Sequence, residues 1–135
     1  MPRRPSARPQ PHSFARTPCP IASSLDLLGD KWTLLVVRDA LLFGKKRFGE
    51  FLASGEGIST NLLTERLERL EQAGVLERCL YQRKPARYEY IITPKGKDLL
   101  PVLAAMATWA NEHIPGTHRS PPETTSSART CRDRR

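Results

Sequence analysis

The sequence has few cysteines and histidines, and it lacks any long apolar run. Its three cysteines are an odd number without close spacing, which argues against a disulfide scaffold and against a zinc site. No apolar run approaches the roughly 18 residues that a membrane helix needs. The N-terminal residues also lack the apolar stretch of a secretory signal. We therefore expect a cytoplasmic protein that binds no metal and no cofactor.

Positive charge is abundant, but it is concentrated at the two ends of the chain. Residues 1–18 hold four arginines and no acid, and residues 115–135 hold five arginines and two acids, so most of the formal net charge of +8 lies there. Both segments are rich in proline, serine and threonine and show no apolar periodicity, so they cannot bury enough surface to fold. The sequence predicts two disordered basic tails, 1–18 and 115–135, around one folded domain, 19–114.

Apolar spacing inside this domain predicts four helices, followed by a hairpin and a last helix. The four helices are expected at 20–28, 31–43, 47–54 and 60–74. Pro20 suits the first helical position, Asp30 can cap the second helix and Ser59 can cap the fourth. The second helix is apolar nearly all round, which indicates a buried position.

The apolar period changes from 3.6 to 2 after the fourth helix. Residues 75–82 and 87–92 alternate between apolar and polar, and the basic turn 83–86 joins them into a β-hairpin. Thr93-Pro94 then begins the last helix as its cap and first residue. This order predicts an α+β, mostly helical fold: a winged helix-turn-helix with a two-stranded β wing. The fourth helix is its recognition helix.

The recognition helix begins with short polar side chains and stands between two basic clusters. Such side chains read base edges in the major groove, and neighbouring cations hold the phosphates. The pattern therefore predicts duplex DNA as the partner, although it also fits an ordinary surface helix with a solvated hairpin tip. The candidate DNA-binding residues are Ser59, Thr60, Asn61 and Thr64 on the helix and Lys45, Lys46, Arg47, Arg83, Lys84 and Arg87 in the clusters.

Two acids on the outer face of this helix, Glu65 and Glu68, would repel phosphates if they entered the groove. We expect Glu65 to pair with Arg69, four residues further on, and Glu68 to lie further from the DNA backbone. A winged-helix protein-interaction module without DNA readout is the alternative function.

The last helix is apolar on more than one side. A small domain covers only one stripe of such a helix, so its other apolar residues predict a contact between two copies of the chain. The alternative is a fully buried core helix. The candidate contact residues of this helix are Leu99, Leu100, Leu103, Met106 and Trp109.

Cys19 lies at a predicted helix N-terminus and close in sequence to Arg16. Both features stabilise a thiolate, the form in which a cysteine reacts with a small electrophile or oxidant. The alternative is an ordinary cap residue, and Cys79 is expected to pack within its strand. A thiol enzyme would need a base near Cys19, but the three histidines fall in or beside the tails. We therefore expect no enzyme.

Three stretches, 19–52, 57–78 and 88–103, resemble HxlR-type winged-helix regulators. The first has the Cys-Pro start, Gly-x-Lys-Trp and Phe-Gly-x-x-Arg-Phe of that family, the second resembles its recognition helix, and the third its second wing strand and C-terminal helix. Thr60-Asn61 depart from the Pro and basic or polar residue that members often carry, so the operator sequence cannot be taken from relatives.

The resemblance implies DNA-binding homodimers whose N- and C-terminal helices form the interface. It adds Ile21 and Leu25 to the candidate dimer residues Leu99, Leu103, Met106 and Trp109. Some members with this N-terminal cysteine respond to electrophiles or oxidants, which supports the sensor interpretation of Cys19. The sequence as a whole predicts a transcriptional regulator that binds specific duplex DNA as a homodimer.

Overall fold

A computed structural model of the protein describes residues 16–117. Its helices and strands are α1 Pro20–Leu28, α2 Thr33–Leu42, α3 Phe48–Leu52, α4 Thr60–Gln72, β1 Leu76–Arg83, β2 Ala86–Ile92, α5 Pro94–Lys97 and α6 Leu100–His113. The two strands pair antiparallel. The predicted winged helix-turn-helix, helical with a two-stranded wing, is confirmed. No helix within 16–117 is long and apolar enough to cross a membrane.

Side chains cap three of the helices. The Cys19 Sγ accepts the N–H of Ala22 at 3.5 Å at the start of α1, and the Ser59 Oγ accepts the N–H of Leu62 at 3.2 Å at the start of α4. Thr93 caps α5 in the same way. Each bond satisfies an N–H that the first turn of a helix leaves without a partner. The predicted cap of the second helix at Asp30 is wrong, because α2 begins at Thr33 and its N-cap is Trp32, whose side chain makes no cap hydrogen bond.

The core lies between α2, α3, α4 and the base of the wing. The α4 stripe predicted from the sequence, Leu63, Leu67 and Leu70, is completely buried. These residues share a face because side chains three and four positions apart point in the same direction. They pack against Val37 of α2 and Phe51 of α3, among other apolar side chains. This packing leaves the opposite face of α4 open to solvent.

The connection from α4 to the wing is tight. Gly74 has a φ of 77°, a conformation that a glycine adopts without steric cost. The Lys95 ammonium donates to the Ala73 carbonyl at 2.6 Å, and the Thr93 hydroxyl donates to the Val75 carbonyl at 3.0 Å. The end of α4 and both strands of the wing are therefore joined at one point.

The last helix differs from the prediction, because it is divided into α5 and α6 at Asp98 and Leu99. Pro101 explains the break: in a continuous helix it could not donate to the Lys97 carbonyl, and its ring would crowd that carbonyl. In the structure Pro101 occupies the first turn of α6, where no N–H is needed.

The predicted tails lie outside the described residues, except for 16–18 and 115–117. The Ser23 hydroxyl donates to the Thr17 carbonyl at 2.9 Å, and the Thr17 hydroxyl accepts the N–H of Cys19 at 3.3 Å. Thr117 donates to the Ile114 carbonyl at 3.1 Å. The described chain therefore makes hydrogen bonds a few residues beyond each end of the domain predicted as 19–114.

Candidate nucleic-acid interface

The start of α4 presents polar side chains to solvent. Thr60, Asn61 and Thr64 are all exposed, on the side of the helix opposite its buried leucines. The Thr64 hydroxyl donates to the Thr60 carbonyl at 2.8 Å, and Ser59 caps the helix, so these two side chains also serve the helix itself. Within residues 16–117 the Asn61 amide makes no hydrogen bond, and it can offer both a donor and an acceptor to a base.

The three residues of the first basic cluster, Lys45, Lys46 and Arg47, have different surroundings. The Lys45 ammonium lies 3.8 Å from the buried carboxylate of Asp39, and its side chain is only 23% exposed. The Lys46 carbonyl accepts the N–H of Tyr90 at 2.7 Å, which joins this loop to the wing. The Arg47 side chain, 56% exposed, is the most open of the three that the sequence singled out.

Arg47 is held in place by the wing. Its guanidinium lies 4.4 Å from the centre of the Tyr81 ring and 3.7 Å from a carboxylate oxygen of buried Glu89. Tyr81 is the extra residue of a β-bulge, since Leu80 pairs with Tyr88 and Gln82 pairs with Arg87. A bulge redirects a side chain, and here it brings an aromatic ring beneath an arginine.

Glu50 organises the backbone beside this arginine. One of its carboxylate oxygens accepts the N–H of Arg47 at 2.9 Å and the N–H of Lys46 at 3.1 Å. These hydrogen bonds, that of Arg47 foremost, lower the pKa of Glu50 below its ordinary value. The carboxylate therefore remains charged and holds the start of α3 next to the wing.

The second basic cluster forms the tip of the wing. Arg83, Lys84 and Arg87 are all exposed, and none of them forms an ion pair with another described residue. The Gln82 amide donates to the Lys84 carbonyl at 3.2 Å, which closes the turn. The tip therefore offers three cations whose charges are available to an anionic partner.

A groove of about 490 Å³ between α3 and the wing brings the two basic clusters together. Its lining includes one residue of each cluster, Arg47 and Arg87, together with Tyr81 and Tyr88. Neither tyrosine was predicted from the sequence as part of the site. The only signal for Tyr81 was an interruption of the apolar alternation in the first strand, where a bulge could have been inferred.

The predicted pairing of Glu65 with Arg69 is wrong. Glu65 accepts instead from Arg66 at 2.8 Å, and Arg69 donates to the Asp26 carbonyl at 2.6 Å. An exposed ion pair one helical turn apart contributes only about 0.3–0.5 kcal/mol. The partly buried carbonyl of Asp26 on α1 therefore competes easily with exposed Glu65 for Arg69.

Cys19 is exposed, but Arg16 does not act as its cationic partner. The Arg16 guanidinium pairs with Asp26 of α1 at 3.2 Å. Of the two features predicted at Cys19, the structure retains its position at the N-terminus of α1. Cys79 is 2% exposed within β1.

The candidate dimer residues divide into two groups. Leu99 and Leu103 pack partly against the core of their own chain, and Leu100 is also partly buried. The other four point outward with exposures of 51–72%, although they are large and apolar. These four are Ile21 and Leu25 on α1 and Met106 and Trp109 on α6. No residue of α6 is fully buried, which excludes the alternative of a core helix.

Comparison with known proteins places this arrangement among regulators. Residues 27–118 match the model of the HxlR-like helix-turn-helix family. An uncharacterised transcriptional regulator of the helix-turn-helix type from Synechocystis sp. is 44% identical over 88 residues, which make up 65% of this chain and 64% of that protein. The matched region thus spans less than two thirds of that relative's length.

Two solved structures share the fold. The reduced form of the transcriptional regulator YodB from B. subtilis is 32% identical with a TM-score of 0.61, and the match covers 74% of this chain and 98% of that one. The redox regulator HypR in its reduced form is 30% identical with a TM-score of 0.62, covering 72% and 95% respectively.

Proposed function

The chain belongs to the HxlR-like helix-turn-helix family, and from that premise we propose that it is a transcriptional regulator that binds specific duplex DNA as a homodimer. The observation that carries the proposal is the exposed polar start of α4, set between Arg47 and the cationic wing tip. In this proposal α4 enters the major groove, where Asn61 can make a bidentate contact to adenine. The wing cations and Arg47 contact phosphates and set the position of the helix.

The homodimer is proposed from the outward apolar faces of α1 and α6. Large apolar side chains such as Leu25, Met106 and Trp109 are each more than half exposed in a single chain. Apolar patches of this kind mark protein contacts. A two-fold arrangement would place two copies of α4 on a palindromic operator, with half-sites one or two helical turns apart.

A response to electrophiles or oxidants is proposed for Cys19. Two supports are its exposed position at the cap of α1 and the likeness to two solved structures, the reduced form of the transcriptional regulator YodB and the redox regulator HypR. A benzoquinone would add to the Sγ atom, forming a thioether, while the thiol proton ends on a ring oxygen of the resulting hydroquinone. The adduct would stand next to Ile21, in the proposed dimer contact.

DNA titration tests the regulatory function. Fluorescence anisotropy is measured with a duplex from the region upstream of the protein's own gene and with a scrambled duplex of equal length and composition. We expect a salt-sensitive preference for the upstream duplex, which Asn61→Ala reduces. Gln72→Ala, on the exposed end of the same helix, is the matched control and retains it. Equal binding of wild type to both duplexes would contradict the proposal.

The Cys19 response has its own test. Benzoquinone should change the affinity of the wild type for the upstream duplex, and Cys19→Ser should remove that change while binding normally without the reagent. A Cys19→Ser protein that still responds would rule out Cys19 as the sensor.

A further inference from the structure

The turn between α1 and α2 is connected to the recognition helix through one carboxylate, that of Asp30. One of its oxygens accepts the N–H groups of Trp32 and Thr33, at 3.1 and 3.2 Å, and the other accepts the Thr33 hydroxyl. These bonds order the turn that leads into α2, two residues before the N-cap position at Trp32.

The same carboxylate also binds two arginines of α4. The Nε atom of Arg66 donates to it at 2.7 Å, and the Nη1 atom of Arg69 lies 3.8 Å away. Arg66 is 12% exposed and Asp30 24% exposed, so water screens this pair much less than a surface ion pair. Burial alone would raise the pKa of Asp30, but hydrogen bonds from Thr33 and Arg66 outweigh it and lower the pKa to about 2.

Arg69 extends the connection to α1. Its Nη2 atom donates to the carbonyl of Asp26, in the last turn of α1, at 2.6 Å. The side chain of Asp26 in turn binds Arg16, three residues before Cys19, at 3.2 Å. Polar contacts therefore run without a gap from the segment that precedes Cys19, through the end of α1, to α4.

These contacts restrain α4 in a way that its apolar packing does not. Leucines on the buried face hold the helix against the core, but apolar contact has little directional preference. Arg66 and Arg69 are three residues apart and therefore lie along one edge of the helix. Two directed attachments on one edge resist rotation of the helix about its axis, and such a rotation would move Thr60 and Asn61 away from the base edges.

We propose that Asp30, together with Arg66 and Arg69, positions the recognition helix against α1 and transmits displacements of α1 to the DNA-reading end of the protein. We call these three residues the Asp30 bridge. The inference rests on the proposed function, since it gives the bridge a role in sequence-specific binding. Asp30 and the arginines act through α4 and need not touch DNA.

The test compares Asp30→Asn and Arg66→Gln with wild type on the upstream and scrambled duplexes. The amide oxygen of an asparagine can still accept the N–H groups of Trp32 and Thr33, so Asp30→Asn removes the charge without removing the acceptor. We expect each variant to lose about tenfold in affinity for the upstream duplex, which is about 1.4 kcal/mol, and less than about twofold for the scrambled one. The double variant should lose no more affinity than the single variant that loses more, because both substitutions remove the same interaction between Asp30 and Arg66.

Glu65→Gln is the matched control. Glu65 also binds Arg66, at 2.8 Å, but its side chain is 65% exposed and lies outside the bridge. The ratio of the two affinities should stay at the wild-type value in this variant. If Asp30→Asn leaves the ratio of the two affinities unchanged, for example through equal losses on both duplexes, the inference is overturned. Additive losses in the double variant would also overturn it.

Amide hydrogen exchange of the free protein separates this inference from the proposed function. Asp30→Asn should speed exchange in α4 and in the last turn of α1, and Glu65→Gln should not. A wild type that prefers neither duplex would count against the proposed function. Unchanged exchange in Asp30→Asn would count against the bridge, whatever the DNA titration shows.

Discussion

At the scale of single residues, the packing around Gly96 requires a residue without a side chain. Gly96 is buried in α5 between the strand end at Ile92 and the backbone of Val75. A Cβ atom built on Gly96 would lie 2.5 Å from the Val75 carbonyl oxygen and 2.5 Å from the Ile92 Cδ1 atom. The carbonyl belongs to the joint between α4 and the wing, and it cannot easily move.

We therefore predict that Gly96→Ala lowers the free energy of unfolding by about 1–3 kcal/mol, as overpacking does in other cores. Urea denaturation followed by circular dichroism measures the change. Gly49→Ala is the control, because a Cβ there meets nothing within 4 Å. In a helix that substitution should be neutral or slightly stabilising. Equal stabilities of the two variants would show that the close approach at Gly96 is relieved elsewhere.

The Asp30 carboxylate makes the free energy of unfolding depend on pH in the acid range. Its pKa is about 2 in the folded protein and 3.8 without the fold's influence. A lowered pKa means that the unfolded chain binds the proton more readily, so the stabilisation is complete above about pH 4. It is lost as the pH falls toward 2.

We predict that the free energy of unfolding of the wild type falls between pH 4 and pH 2 by more than that of Asp30→Asn. Urea titrations at several pH values measure both slopes. Glu50, whose pKa is also lowered, adds to the loss in both proteins and so cancels in the comparison. Parallel slopes for the two proteins would mean that Asp30 titrates at its ordinary value.

At the scale of elements, α4 and the wing contribute differently to the proposed DNA contact. The start of α4 carries neutral polar groups, whereas the wing tip carries cations that have no carboxylate partner among the described residues. Contacts to phosphates release counterions and so depend on salt, while contacts to base edges distinguish sequences. The two elements can therefore be separated by the salt dependence of binding.

We predict that Arg87→Ala weakens binding to both duplexes and reduces the slope of log K against log salt by about 0.9, the value for one phosphate contact. Asn61→Ala should leave that slope unchanged and reduce the preference for the upstream duplex by about 1–3 kcal/mol. Anisotropy titrations at four salt concentrations measure both quantities. A change of slope in Asn61→Ala, without one in Arg87→Ala, would reverse the assignment of the two elements.

At the scale of the whole molecule, a single chain leaves the outer faces of α1 and α6 uncovered. Trp109 is 60% exposed and packs near the His113 ring, with 5.1 Å between the ring centres. Aromatic side chains of this kind contribute strongly at the centre of protein interfaces. The proposed dimer therefore depends on a residue that contributes little to the fold of one chain.

We predict that Trp109→Glu weakens self-association by about 2 kcal/mol or more, the range of an interface anchor, while the monomer stays folded. Sedimentation equilibrium gives the association constant, and circular dichroism checks the fold. Leu80→Glu, which alters an exposed apolar residue on the wing (45% exposed), is the control and should associate like the wild type. A wild type that sediments as a monomer would contradict the dimer itself.

Much of the fold follows from local signals that act within a few residues. The leucine stripe of α4, the caps at Ser59 and Thr93 and the alternation of the two strands each determine one element, because they depend only on helical or strand geometry. The division of the last helix at Pro101 was equally local, and it could have been predicted from that proline. The bulge at Tyr81 left a weaker trace, since one interrupted alternation has several explanations.

The amino-acid sequence alone specifies the order and type of the elements, and with them the family to which the chain belongs. The tertiary structure decided the partners of the charged side chains. Lys45 lies near Asp39, Arg16 binds Asp26, and Arg69 contacts α1 rather than Glu65. Periodicity specifies which face of an element is apolar, but an ion pair forms with whichever group folding brings within a few ångströms and shields from water. For that reason the connection from α1 to the recognition helix became visible only once the chain was folded.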